Sequence, residues 1–110
     1  MSYIPDQGDI IWLNFDPSAG IEMMKRRPAL VLSKEVLNEH VGLAIVSPIT
    51  STVRGINLEV VLPEKLKTKG AVLVYQLRSV DYEDRQCEFI ERIPNQALKQ
   101  VLNIAQILVQ

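Results

Sequence analysis

Cysteine and histidine are each present once, as Cys87 and His40. A single thiol cannot close an intramolecular disulfide. One imidazole and one thiol cannot supply the roughly four nitrogen and sulfur ligands of a structural zinc site. Acid–base chemistry by a histidine pair is excluded on the same count. Long apolar runs are also missing: stretches such as residues 71–75 and 104–109 fall far short of the roughly 20 residues that span a bilayer. Residues 1–9 show neither the basic start nor the apolar segment of a secretion signal. Charge of one sign is not in excess, with 12 basic residues against 13 acidic ones and a formal net charge of −1. Nucleic-acid binding, if present, must therefore rest on a local basic cluster rather than on whole-molecule attraction. No internal repeat, low-complexity segment, phosphate-binding glycine loop or serine-nucleophile elbow is visible. These absences together predict a soluble cytoplasmic protein.

What is present is ordinary globular composition, 47% hydrophobic and 23% charged, in a chain of 110 residues. That length fits one domain over residues 1–110. Glycines and prolines recur at strand-and-turn spacing and separate six short apolar runs. Residues 9–15 alternate, with Ile11, Leu13 and Phe15 on one face and Ile10 and Trp12 on the other. Residues 29–32 are continuously apolar, and residues 41–46 nearly so. Residues 56–62 alternate, with Ile56, Leu58, Val60 and Leu62 opposed to Asn57 and Glu59. Residues 71–75 form a fifth run, and residues 87–93 an irregular sixth. All are too short for helices, and most are rich in Val and Ile. After Pro94 the period changes: Leu98, Val101, Leu102, Ala105, Leu108 and Val109 make one helical stripe. Residues 34–40 fit one more helical turn, with Val36 and Leu37 facing inward. The prediction is a mainly β protein, a small antiparallel barrel with a C-terminal helix laid on it. Runs 29–32 and 41–46 and the C-terminal stripe offer more apolar surface than so small a barrel buries alone, which predicts a homodimer.

Three segments carry polar groups with chemical potential. The first, residues 16–28, joins two strands and exceeds the usual 2–5-residue hairpin loop. It holds Glu22 and the run Lys25-Arg26-Arg27 before Pro28. Arginine stays charged and offers a planar fork that matches phosphate oxygens, and Pro28 biases Arg27 towards an extended backbone. A solvated basic loop has the same composition. The second, residues 47–52, presents the hydroxyls of Thr50, Ser51 and Thr52 at a strand end, where they can meet phosphate or merely cap a turn. In the third, residues 72–81, Gln76 and Arg78 interrupt an apolar stretch. Gln76 could satisfy backbone groups, and Arg78 could pair with Asp81 or Glu22. Lys65, Lys67 and Lys69 form a looser basic group. His40 reads as a surface residue and Cys87 as core.

In order, these motifs are Gly8-Asp9-Ile10, Asp16-Pro17, Gly20-x-Glu22, Arg27-Pro28-x-x-Val31-x-Ser33, Pro48-Ile49-Thr50-Ser51 and Gln76-x-Arg78-Ser79-x-Asp81. Together they resemble the MazF/PemK family of toxin endoribonucleases. The resemblance implies an SH3-like barrel, a homodimer, and sequence-selective cleavage of single-stranded RNA without a metal or other cofactor. It also implies a cognate antitoxin whose disordered acidic tail occupies the RNA groove. The family's catalytic arginine falls on Arg27, its catalytic threonine on Thr50, and the glutamate of its Gly-x-Glu motif on Glu22. Lys25, Arg26, Ser51, Arg54, Gln76 and Arg78 complete the expected RNA-binding set. The chain departs from some members at Tyr75, where an acidic residue stands, and at Leu73 and Ile21, where PemK-type members carry an arginine and a histidine.

The expected reaction uses RNA's own nucleophile, the ribose 2′-OH, and leaves a 2′,3′-cyclic phosphate and a free 5′-OH. Arg27 would stabilise the charge on the non-bridging oxygens, and Thr50 would hold the phosphate in line. Glu22 would orient Arg27 or take the 2′-OH proton. An exposed glutamate is a weak base near neutrality, which favours the orienting role. Two other readings use the same barrel: a gyrase-binding toxin of the CcdB type that cuts nothing, and an inert RNA-binding barrel.

Overall fold

The computed structural model describes residues 3–15 and 26–110. Among these the elements run β1 (Asp9–Asn14), β2 (Arg26–Val31), α1 (Glu35–Val41), β3 (Ala44–Thr50), β4 (Glu59–Val61), β5 (Ala71–Leu73), a 3₁₀ turn (Val74–Gln76), β6 (Arg78–Val80), β7 (Glu88–Arg92) and α2 (Asn95–Val109). All strand pairs are antiparallel. The sheet order is β4-β5-β3-β2-β1-β7, with β6 paired to β3 off that path. β3 is the organising strand. It lies against β2 on one side, and on the other it pairs β6 near its start and β5 at its end. The expected architecture of antiparallel strands with a C-terminal helix is what forms. No helix among the described residues is long and apolar enough to cross a membrane.

Both faces of the central strands are covered, which explains why residues 29–32 are continuously apolar rather than alternating. Ile10, Leu30, Ile49 and Val72 pack with Ala97 and Val101 of α2 on one face. Ile11, Leu13, Ala29, Val31 and Val46 pack with Val80 and Tyr82 on the other. The helical stripe follows this division: Val101 is fully buried, Leu98, Leu102 and Ala105 are partly buried, and Leu108 and Val109 emerge into solvent. Ala29, Leu30 and Val31 are therefore fully buried, and of the run 29–32 only Leu32 reaches the edge of a surface groove.

Three local expectations are corrected. In α1, Val36 is 82% and Leu37 49% exposed, while Asn38 is fully buried. The Asn38 amide outcompetes the apolar pair for the inner face because every one of its groups has a partner. Its Oδ1 accepts from the Ser33 hydroxyl at 2.6 Å. Its Nδ2 donates to the carbonyls of Pro5 at 2.8 Å and Ser33 at 3.0 Å. The helix start lacks a local side-chain cap, and Asp6 supplies one from a distance, its Oδ1 accepting the Glu35 N–H at 2.9 Å. Second, the run 41–46 is split. Val41 ends α1, Gly42 turns the chain at φ 75° with its N–H on the Asn38 carbonyl at 2.8 Å, and β3 begins only at Ala44.

Third, in the run 56–62 only Glu59–Val61 is strand; Val60 and Leu62 are buried as expected, but Ile56 and Leu58 are exposed while Glu59 is 8% exposed. Glu59 is drawn inward by its neighbours' backbone, its Oε1 accepting the N–H groups of Arg54 and Gly55, each at 2.8 Å. The irregular run 87–93 contains a strand, β7, whose pairing with β1 shifts register at Ile90, between Glu91 opposite Ile10 and Phe89 opposite Ile11. Cys87 is half-buried against the second cluster, and burial pushes its thiol up, away from thiolate reactivity.

Candidate active site

The antiparallel register explains how Arg27 and Thr50, distant in sequence, come together. β2 and β3 pair Val31 with Val46, Leu30 with Ser47 and Ala29 with Pro48. The pairing stops at Ala29 and Pro48, and beyond it the ends of the two strands, Arg27 and Thr50, line one cleft. The register therefore carries the two residues to the same end of the sheet, where both contribute to that cleft. Pro28 belongs to this arrangement. It faces Trp12 across β1, and its missing N–H interrupts neither ladder where β2–β3 pairing begins at Ala29.

Arg27, Pro28, Ile49, Thr50, Ser51, Thr52 and Lys69 line a cleft of about 350 Å³. Arg27 and Ser51 are exposed and Thr50 half-buried, so a phosphate can reach them from solvent. The Thr50 Oγ1 accepts the Thr52 N–H at 3.1 Å, which turns the chain at the end of β3 and fixes the hydroxyl. The segment 47–52 is thus less of a loop than its sequence suggests. Ser47 and Pro48 are buried inside β3, and only Thr50 and the residues after it reach the strand end.

Strand alternation separates the two neighbouring arginines. Arg26 projects from the other face of β2, where its guanidinium bonds Glu88 Oε1 at 2.8 Å and Asn14 Oδ1 at 3.0 Å. It stands apart from the cleft. Arg85 donates to the Phe15 carbonyl at 2.7 Å, so arginines secure both stems of the segment between β1 and β2. Glu22, Lys25 and the departure at Ile21 lie outside the described residues.

Arg78 of β6, paired with Val46 of β3, lies over the Phe15 ring, its guanidinium carbon 5.6 Å from the centroid. Arg54, Tyr75 and Gln76 form a separate group. The Tyr75 hydroxyl lies 3.3 Å from Arg54 Nη1 and 3.4 Å from Gln76 Nε2. Tyr75 therefore gives Arg54 a neutral partner. Leu73, the other departure, is buried in β5. Sequence reasoning missed Lys69 as part of the cleft. Its place there depends on how β5 aligns with β3, and a single chain offers no signal for that. Among the described residues no group of three or more His, Cys, Asp or Glu side chains could hold a metal ion.

The chain matches, over residues 6–109, the family described as PemK-like, MazF-like toxin of type II toxin–antitoxin systems. It is 39% identical over 83 residues to the endoribonuclease toxin MazF of Escherichia coli K12, covering 76% of this chain and 74% of that protein. It is 34% identical over 110 residues to the endoribonuclease toxin ChpB of the same strain, covering 96% and 94%. Among solved structures it is similar to a chain of the MazE–MazF crystal structure from Deinococcus radiodurans. That similarity has a TM-score of 0.92 and 41% identity, covering 98% of this chain and 97% of that one.

Proposed function

The chain belongs to the PemK-like, MazF-like toxins of type II toxin–antitoxin systems, and from that premise we propose that it is an endoribonuclease that cuts single-stranded RNA at Arg27 and Thr50. The observation that supports this reading is the open cleft at the ends of β2 and β3, lined by both Arg27 and Thr50. The ribose 2′-oxygen attacks the adjacent phosphorus as its proton passes to water, which in turn supplies the proton that the leaving oxygen needs. The bond from phosphorus to the 5′-oxygen breaks, and that oxygen takes up a proton. The products are a 2′,3′-cyclic phosphate and a 5′-OH. Negative charge peaks on the two non-bridging oxygens, where Arg27 offers charge-assisted hydrogen bonds and the Thr50 hydroxyl one more. Thr50 enters the step already oriented by Thr52. Glu22 orients Arg27 in this scheme, and no step is routed through a metal.

Ser51 adjoins Thr50 in the cleft. Lys25, Arg26, Arg54, Gln76 and Arg78 serve the flanking RNA, with Arg26 exchanging Glu88 for phosphate. Sequence selectivity then comes from unstacked bases read along the groove. A cognate antitoxin with an acidic disordered tail competes for the same cations, and the toxin acts in the cytoplasm as a homodimer. The deciding experiment incubates the purified protein with a long single-stranded RNA in EDTA and analyses the new ends. Fragments ending in cyclic phosphate with 5′-OH partners are expected. Intact RNA under conditions where the protein is folded and dimeric would sink the nuclease reading.

A further inference from the structure

The sequence groups Lys65, Lys67 and Lys69 as equivalent, and the fold distinguishes them. Of the three, Lys69 lines the cleft with Arg27 and Thr50. The turn that carries it is anchored on both sides. On one side, Glu91 of β7 accepts the N–H groups of Lys67 at 3.1 Å and Thr68 at 2.8 Å, and the Thr68 hydroxyl at 2.7 Å. Thr68 is buried by this contact. On the other side, Gly70 adopts φ +117° and lies so close to the end of β3 that a Cβ would stand 1.9 Å from the Thr50 carbonyl oxygen. The backbone on which Lys69 rides is therefore keyed to the residue proposed to hold the scissile phosphate. The Lys69 ammonium itself donates to the Glu64 carbonyl at 2.6 Å.

An exposed lysine on an ordinary turn needs no such scaffold, and the cleft has chemical use for a second cation. The phosphorane-like transition state gains a second negative charge, and the cleft's other cation among the described residues is the single guanidinium of Arg27. Exchanging the neutral Glu64 carbonyl for an anionic phosphate oxygen strengthens the ammonium's hydrogen bond. We propose that Lys69 is a second phosphate-contacting cation of this cleft, seated by Glu91 and Gly70. The proposal rests on the RNA-cleaving reading of the same site.

The test compares Lys69→Gln, Lys69→Arg and Lys65→Gln. Lys65→Gln removes the same charge from an exposed lysine that does not line the cleft. Cleavage of a long transcript is followed as kcat/KM, and binding of a mixed-sequence 2′-O-methyl RNA, which lacks the nucleophile, is followed against salt. Lys69→Gln should lower kcat/KM on the order of tenfold or more, with Lys69→Arg restoring most of it. It should also flatten the log–log salt slope of binding by about 0.7, the share of one phosphate contact on a single strand. Lys65→Gln should change neither. Equal effects of Lys69→Gln and Lys65→Gln, or no effect of either, overturn the proposal. If the parent protein binds RNA with the Lys69-dependent slope but cuts nothing, the nuclease reading falls and the phosphate contact stands. If it neither binds nor cuts, both fall.

Discussion

Arg27 and Thr50 sit at the same strand ends for different local reasons, and substitutions can separate their contributions. Arg27 is exposed and belongs to neither core cluster, so Arg27→Ala should leave the melting temperature nearly unchanged. Losing a charge contact made in the transition state typically lowers the rate on the order of 10²–10³. Cleavage at the parental rate by folded Arg27→Ala would remove it from the site. Thr50 needs a finer comparison, because its hydroxyl also accepts the Thr52 N–H. Thr50→Val should cost about 1 kcal/mol of stability through that bond alone. Thr50→Ser keeps an acceptor for Thr52 and a donor for phosphate while giving up the β-branch. A purely structural hydroxyl predicts that Thr50→Val still cuts normally in its folded fraction. A phosphate-holding hydroxyl predicts that Thr50→Ser retains activity and Thr50→Val loses it. Ser51 adjoins the same cleft, so Ser51→Ala belongs in both backgrounds to exclude substitution by a neighbouring hydroxyl.

At the level of elements, the legible features were those set by local period. The β1 run, the continuous run of β2 and the stripe of α2 each follow from strand or helix spacing. What could not be read was which segment lies beside which. Val36 and Leu37 were expected to face inward in place of Asn38, since nothing local announces the Pro5 and Ser33 groups that Asn38 satisfies. Glu59 looked polar and therefore outward, whereas two backbone N–H groups draw it in. Arg27 and Thr50 were each legible, but their adjacency is a property of register and was visible only through resemblance to a known family.

Glu91 is the clearest case of an element held by a distant carboxylate, and it makes a pH prediction. Burial by itself raises its carboxyl. The hydrogen bonds from Thr68 and Lys67 and the charge of Lys67 outweigh this and leave it below its ordinary 4.5. A depressed folded value means that the stabilisation is complete above pH 4.5 and is lost as pH falls through the lowered value. Glu91→Gln removes the titrating group. Thermal melts between about pH 3 and pH 7 should show the parent ahead near neutrality and converging on the variant at the acid end. Parallel curves would mean that Glu91 is not the anchor of the Lys69 turn.

At the scale of the whole molecule, the uncovered apolar surface has moved from where the sequence suggested. Residues 29–31 are internal, but Ile45 of β3 remains 38% exposed and Val109 at the end of α2 71% exposed. Ile45, Leu77, Leu102, Ala105 and Val109 line one groove of about 500 Å³ between the sheet and the last turns of the helix. Leu32 completes this mainly apolar lining, with Lys99, Asn103 and Gln106 beside it, and a second copy of the chain is the partner the family resemblance implies. The protein should therefore run as a homodimer in light scattering at micromolar concentration. Ile45 belongs to neither core cluster, so Ile45→Glu should spare the fold and place a charge in the contact. A stable interface of roughly 800 Å² per partner does not tolerate an unpaired buried charge near its centre, so the variant should be monomeric with an unchanged circular dichroism spectrum. A parent protein that is monomeric ends the dimer reading. A dimeric Ile45→Glu protein keeps the dimer and moves its interface to another face, with the exposed side chains of α1 next to be tested.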